Sequence, residues 1–142
     1  MAQFLKFTSM KNNITYIIDD DKLSIKLMGL LISKNEFCKE IHPFHDAQSA
    51  LNELKKNCDI SANLPDVILL DLNMPVMDGW QFLDEFIYLP IKKEISIFVI
   101  TSSIDPVDIE MATKYPILKS YIEKPINAEK LNFISHLIEL TT

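Results

Sequence analysis

The chain has 142 residues, 48% of them apolar, with 20 acidic and 14 basic side chains for a net charge of −6. That length fits one domain with a full-sized core, and the charge argues against nucleic acid or an anionic membrane as a direct partner. No apolar run approaches the roughly 18 residues that a membrane helix needs. Met1 to Met10 carries no secretory pattern, and Cys38 and Cys58 have neither a disulfide framework nor metal-type spacing. The two read as reduced thiols, which suits a cytoplasmic setting. Gly29 and Gly79 are the two glycines, so a glycine-rich phosphate loop is excluded.

Strand-like and helix-like runs alternate along the sequence. Ile14 to Ile18 reads as a first strand, after an N-terminal extension over residues 1–12 that is expected to be poorly ordered. Leu23, Leu27, Leu30 and Leu31 share one face at helical spacing and are expected to face the core. Phe37 to Phe44 is a weaker strand; Pro43 cannot donate to a ladder, so this strand belongs at a sheet edge. Asp46 can cap a helix over Ala47 to Asn57, and a polar loop follows from Cys58 to Leu64. Val67 to Leu70 is unbroken apolar sequence, as in a parallel strand covered on both faces.

Gly79 opens a third helix, with Phe82, Leu83, Phe86 and Ile87 in one stripe and Pro90 after its end. Ile95 to Ile100 is a fourth strand. Asp105 caps a fourth helix with Pro106 at its first position. Leu118 to Ile122 is a fifth strand, and Asn127 caps a fifth helix carrying Leu131, Ile134, Leu137 and Ile138. Five strands alternating with five helices predict an α/β fold, a doubly wound (βα)5 flavodoxin-like sandwich. With the second strand at an edge, the parallel sheet takes the order 2-1-3-4-5.

Ligands of such sheets bind beyond the carboxyl ends of the strands, at the switch point between strands one and three. Asp19-Asp20-Asp21 ends the first apolar run and Asp71 ends the third. Ionised carboxylates beside a core are costly unless compensated, and a hard cation with oxygen ligands compensates them well. Asp21 also reads as the cap of the first helix. Thr101 and Ser102 close the fourth strand, Lys124 closes the fifth in Glu123-Lys124-Pro125, and Asn73 lies two residues after Asp71. The pattern predicts a metal-assisted phosphoryl-handling site at this edge.

Four motifs occur in order over residues 13–141. An apolar run ends in Asp-Asp. A second ends in Asp71 and is followed by Met74-Pro75-Val76-Met77-Asp78-Gly79. A third ends in Thr101-Ser102, and Lys124-Pro125 comes last. In combination they are specific, and the chain resembles the receiver domains of two-component response regulators. The resemblance implies a receiver domain over residues 13–142 in which Asp71 accepts a phosphoryl group from a histidine kinase or a histidine phosphotransfer protein.

It implies Mg2+ held by Asp20 and Asp71, with Asp19 assisting through a water and the Asn73 main-chain carbonyl adding an oxygen. Lys124 and Thr101 would contact the phosphoryl oxygens, small Ser102 would keep the approach open, and the Lys124-Pro125 bond would be cis. Thr101 and Tyr121 would form the switch that alters the face of helix four, strand five and helix five. Asn73 and Ser103 flank the site as positions that tune hydrolysis. Such a domain is a phosphoacceptor assisting its own transfer and slow dephosphorylation, not an enzyme in the usual sense.

Many receiver domains carry Gly-Ala shortly before the fifth strand; Tyr115-Pro116-Ile117-Leu118 stands here instead. The output face is therefore expected to have its own shape. Trp80 reads as surface or packing of helix three, and His42, His45 and His136 as surface or edge residues. With no output domain expected after helix five, the signal would leave through protein contacts or a phosphorelay. The alternative is a phosphorylation-independent scaffold, which usually lacks one of the acids or the lysine. A phosphohydrolase would need a proton-shuttling acid where Asn73 stands. An FMN carrier would need a hydroxyl- and glycine-rich loop where the three aspartates stand.

Overall fold

The computed structural model describes residues 12–102 and 104–140, with side chains to 138. The extension expected over residues 1–12 falls, as far as residue 11, outside the described residues, as does Ser103. Asn12 is buried, and its side-chain amide donates to the Phe37 carbonyl at 3.1 Å.

The chain runs β1 (Ile14–Ile18), α1 (Lys22–Lys34), β2 (Glu40–Phe44), α2 (Ala47–Lys56), a 3-10 turn (Ser61–Asn63), β3 (Val67–Leu70), α3 (Gly79–Phe86), β4 (Ser96–Thr101), α4 (Pro106–Ala112), β5 (Leu118–Glu123) and α5 (Ala128–Leu140). The sheet is parallel in the order β2-β1-β3-β4-β5, as expected. Pro43 sits on edge strand β2, opposite Ile17, where its missing N–H costs the sheet little. β1, β3 and β4 are buried throughout, so their largely apolar sequences fit helices on both faces.

Two apolar layers result. On one face Tyr16, Ile18, Leu51, Leu54, Ile68, Leu70, Phe82 and Leu83 pack beneath α2 and α3. On the other, Ile17, Ile25, Met28, Ile32, Leu69, Phe98, Leu131 and Ile134 pack beneath α1 and α5. Caps fix where the helices start. Asp21 accepts from the Leu23 N–H at 3.0 Å, Asp46 from Ser49 at 2.7 Å, Asp105 from Val107 at 2.9 Å and Asn127 from Lys130 at 2.9 Å. Asp78 and Gln81 add a reciprocal capping box at the start of α3.

Two expectations need correction. The second strand is shorter than Phe37 to Phe44: it begins at Glu40, and Phe37 is instead buried against the α1 layer. More important, α1 turns a different face to the core. Ile25, Met28 and Ile32 are buried, while Leu23, Leu27 and Leu30 are 62%, 58% and 61% exposed. Both stripes have helical spacing, and the one carrying the β-branched isoleucines fits the sheet.

Candidate functional site

The site is built by adjacent strand ends. Ile18 lies opposite Leu70 in the β1–β3 ladder, so the next residues, Asp19 and Asp71, emerge side by side. Main-chain bonds hold both in place: Asp71 N–H donates to the Ile18 carbonyl at 2.9 Å and Asp19 N–H to the Phe44 carbonyl at 3.0 Å. Asp19, Asp20 and Asp71 each offer an oxygen, and these atoms lie within 4.8 Å of one another. Asp19 and Asp71 are buried; Asp20 is exposed.

Lys124 is brought in by β5, the far strand of the sheet, with its N–H donating to the Thr101 carbonyl at 2.7 Å. Its Nζ lies 2.6 Å from Asp19 Oδ2 and 3.8 Å from Asp71 Oδ1. The following bond to Pro125 is cis. Asp19 also accepts the Asp21 N–H through Oδ1 at 2.9 Å, so both its oxygens already have partners. Asp71 is less well compensated. Burial pushes its carboxyl up to about 6, Asp19 adds to the rise, and Lys124 opposes it; Asp20 raises it further and the Asn73 main-chain N–H lowers it.

The surrounding loop approaches closely. Gly79 N–H donates to the Leu72 carbonyl at 3.0 Å. A Cβ on Gly79 would lie 2.7 Å from the Asp71 carbonyl oxygen, so the start of α3 can approach the acid only as glycine. Val76, at the tip of this loop, has φ 70° and a fully exposed side chain.

Thr101 is fully buried at the end of β4, and among the described residues its hydroxyl makes no hydrogen bond of ordinary geometry, although it acts on the Tyr121 phenol. Ser102, just beyond, is exposed. Tyr121 is half-buried on β5, opposite Val99. Burial pushes its phenol up and the charge of Asp108 adds to the rise, while the Asp105 main chain and the Thr101 hydroxyl oppose it. The strand ends thus bring Asp19, Asp20, Asp71 and Lys124 into one cluster. Asn73 touches it through its main chain, while Thr101, Ser102 and Tyr121 stand on the two neighbouring strands. His45 and His136 are exposed, and His42 stacks on Tyr16 with ring centroids 5.8 Å apart.

Sequence reasoning missed two features. One is the exposed leucine face of α1. It lines a groove of about 540 Å3 that runs from Leu23, Leu27 and Leu30 to Lys124, Pro125 and Ile126. The other is the set of contacts that Trp80 makes with Asp108 and Tyr115. Helical spacing could have suggested the first. The second joins residues 28 and 35 apart and leaves no local signal.

This arrangement has known counterparts. Over 122 residues the chain is 24% identical to the two-component response regulator ARR10 of Arabidopsis thaliana, a match that covers 85% of this chain and 20% of that protein. The chain thus spans about a fifth of that relative. Among solved structures it is similar to a two-component response regulator from Cytophaga hutchinsonii, at 27% identity and a TM-score of 0.81, over 91% of this chain and 98% of that one. It is also similar to the phosphorylated cyanobacterial phytochrome response regulator RcpA, at 27% identity and a TM-score of 0.70, over 91% and 93%. Among the described residues no helix is long and apolar enough to cross a membrane. Residues 15–134 match the model of the response regulator receiver domain, and with that match across most of its length the chain belongs to the receiver domain family of two-component response regulators.

Proposed function

We propose that this receiver domain, over residues 13–142, is a phosphoryl acceptor of a two-component system and that Asp71 is the residue modified. The observation that carries the reading is the cluster itself: three carboxylates with oxygens within 4.8 Å, and one ammonium group 2.6 Å from Asp19 and 3.8 Å from Asp71. An Asp71 oxygen attacks phosphorus, the bond from phosphorus to the donor histidine breaks, and the imidazole leaves with that electron pair. Like charges oppose this approach, so positioning and counter-charge supply most of the catalysis.

Lys124 supplies one fixed positive charge and, from beside Asp71, can turn to a phosphoryl oxygen. The Thr101 hydroxyl, at the end of the neighbouring strand, donates to another, and small Ser102 leaves the approach open. The carboxylates fit a hard divalent cation, and the raised Asp71 carboxyl is what such an ion relieves. Asp20 and Asp71 would hold Mg2+, with Asp19 assisting through a water and the Asn73 carbonyl adding an oxygen. Bound there, Mg2+ would neutralise charge that builds up during transfer. Phosphorylation adds about −1.5 to −2 charge; Thr101 then moves towards it and Tyr121 turns inward, altering the face of α4, β5 and α5.

The donor is a histidine kinase or a histidine phosphotransfer protein, and the setting is the cytoplasm. The groove along α1 gives the donor a place to dock. It is mainly apolar, it ends at Lys124 beside Asp71, and its charged lining is Lys34, Lys124 and the helix cap Asp21, on a helix that also carries Lys22 and Lys26. A donor helix with an apolar stripe and acidic flanks fits it. The scaffold alternative has little support, because all the acids and the lysine are present. Incubation with acetyl phosphate and Mg2+, read by intact-protein mass spectrometry, tests the reading. One phosphoryl group should be gained by the wild type and none by Asp71→Asn. No gain on wild type, or an equal gain on Asp71→Asn, would refute it.

A further inference from the structure

Between α3 and the segment from α4 to β5 lies a set of contacts that the acceptor chemistry does not use. Trp80 and Asp84 stand one turn apart on α3. The Trp80 indole N–H donates to Asp108 Oδ1 on α4 at 3.2 Å. Its ring stacks on Tyr115, beyond the end of α4, with centroids 5.3 Å apart and planes 22° from parallel. The Tyr115 hydroxyl returns to α3, donating to Asp84 Oδ1 at 2.7 Å. Two hydrogen bonds and one ring stack therefore link α3 to α4 and to Tyr115 just beyond its end.

α4 itself is only lightly embedded. It is seven residues long and buries none of its side chains. Val107 and Ile109 are 70% and 46% exposed. A helix held by few apolar contacts belongs to the part of a fold that opens at low free energy.

The other end of the contact is the acceptor loop. Trp80 directly follows Gly79, which bonds the Leu72 carbonyl and lies too close to the Asp71 carbonyl to admit a Cβ. A shift of the Asp71 main chain therefore displaces Gly79, and Trp80 with it. The charge of Asp108 also pushes the Tyr121 phenol up.

We propose that Trp80, Asp84, Asp108 and Tyr115 form a latch that holds α4 against α3 and releases it when the acceptor loop is modified. The input rests on the reading of Asp71 as the phosphoryl acceptor; the hold on α4 does not. Latched and released arrangements are the two states such a switch needs. Tyr115 is the first residue of the segment where the usual Gly-Ala is replaced, so this route to α4 is built from residues of this chain.

The chain has one tryptophan, so Trp80 emission reads the latch directly. The first measurement is amide hydrogen exchange of residues 106–113 in the full chain, without ligand. Trp80→Phe keeps a ring and loses the N–H; Tyr115→Phe keeps the stack and loses the bond to Asp84. Each should speed exchange of that segment roughly fivefold, the scale of one net hydrogen bond, with β1 and β3 unchanged. Unchanged exchange in both variants overturns the hold.

The second measurement adds beryllofluoride and Mg2+ to the wild type and follows adduct formation by fluorine NMR. With adduct, Trp80 emission should shift and residues 106–113 should exchange faster; in the Trp80→Phe/Tyr115→Phe double variant, which has no tryptophan, exchange of that segment should change little further. An adduct with unchanged emission and exchange overturns the latch and leaves the acceptor reading intact. No adduct overturns the acceptor reading and removes the input of the latch with it.

Discussion

β3 and β5 carry the two ends of the site and are built differently. All four residues of β3 are at most 1% exposed, and Asp71 follows them directly. In β5 one residue of six, Ile122, is buried, and the helix before it buries no side chain. The proposed acceptor thus follows one of the most buried strands, and the proposed output lies on one of the least buried. A chemical step needs atoms held still, whereas a switch needs an element whose alternatives lie close in free energy.

The contrast is broken most severely at β4. Phe98 is fully buried, so Phe98→Ala should lower unfolding free energy by about 3–5 kcal/mol in urea titration. Val107→Ala, on exposed α4, should stay within about 0.5 kcal/mol. Equal losses at the two positions would mean that α4 is as firmly embedded as β4.

Asp71→Asn sharpens the comparison with the opposite sign. The Asp71 carboxyl is raised from 3.8 to about 6, so the folded chain holds this proton more tightly than the unfolded chain does. Stability therefore falls as pH rises through that window and remains lower above it. Without divalent metal, Asp71→Asn should be more stable than wild type by about 2–3 kcal/mol at neutral pH. The gain should vanish below the lower limit of the window. Denaturant titrations at the two ends of that range, with chelator present, check both size and sign.

The two glycines give the smaller tests. Gly79→Ala should cost about 1–3 kcal/mol through crowding against the Asp71 carbonyl, and should also slow phosphorylation by acetyl phosphate. Gly29 has nothing within 4 Å of its missing Cβ. Gly29→Ala should stabilise α1 by about 0.5–1 kcal/mol, read as a higher urea midpoint. A loss at Gly29 equal to that at Gly79 would show that α1 also needs close backbone approach.

The strand order was readable because Pro43 marks an edge and Tyr16 to Ile18, Val67 to Leu70 and Ile97 to Ile100 are unbroken apolar runs. The acids were readable because they end two of those runs, and the register then brings them together. The orientation of α1 was not readable. Leu23, Leu27 and Leu30 compete with Ile25, Met28 and Ile32, and spacing alone does not rank two apolar stripes on one helix. Nor were the partners of Trp80 readable, since they come from elements met only after the sheet has assembled. Local pattern thus locates the charged tips, while long-range packing decides how the helices around them are turned.

Val76 is a β-branched residue in the left-handed region, and its side chain, wholly in water, recovers nothing by packing within this chain. A backbone held that way stores about 1–3 kcal/mol. The loop that leads from Asp71 to α3 therefore carries strain. A protein that closes over this isopropyl group would find the loop already bent to shape and would gain contact area without first having to rigidify it.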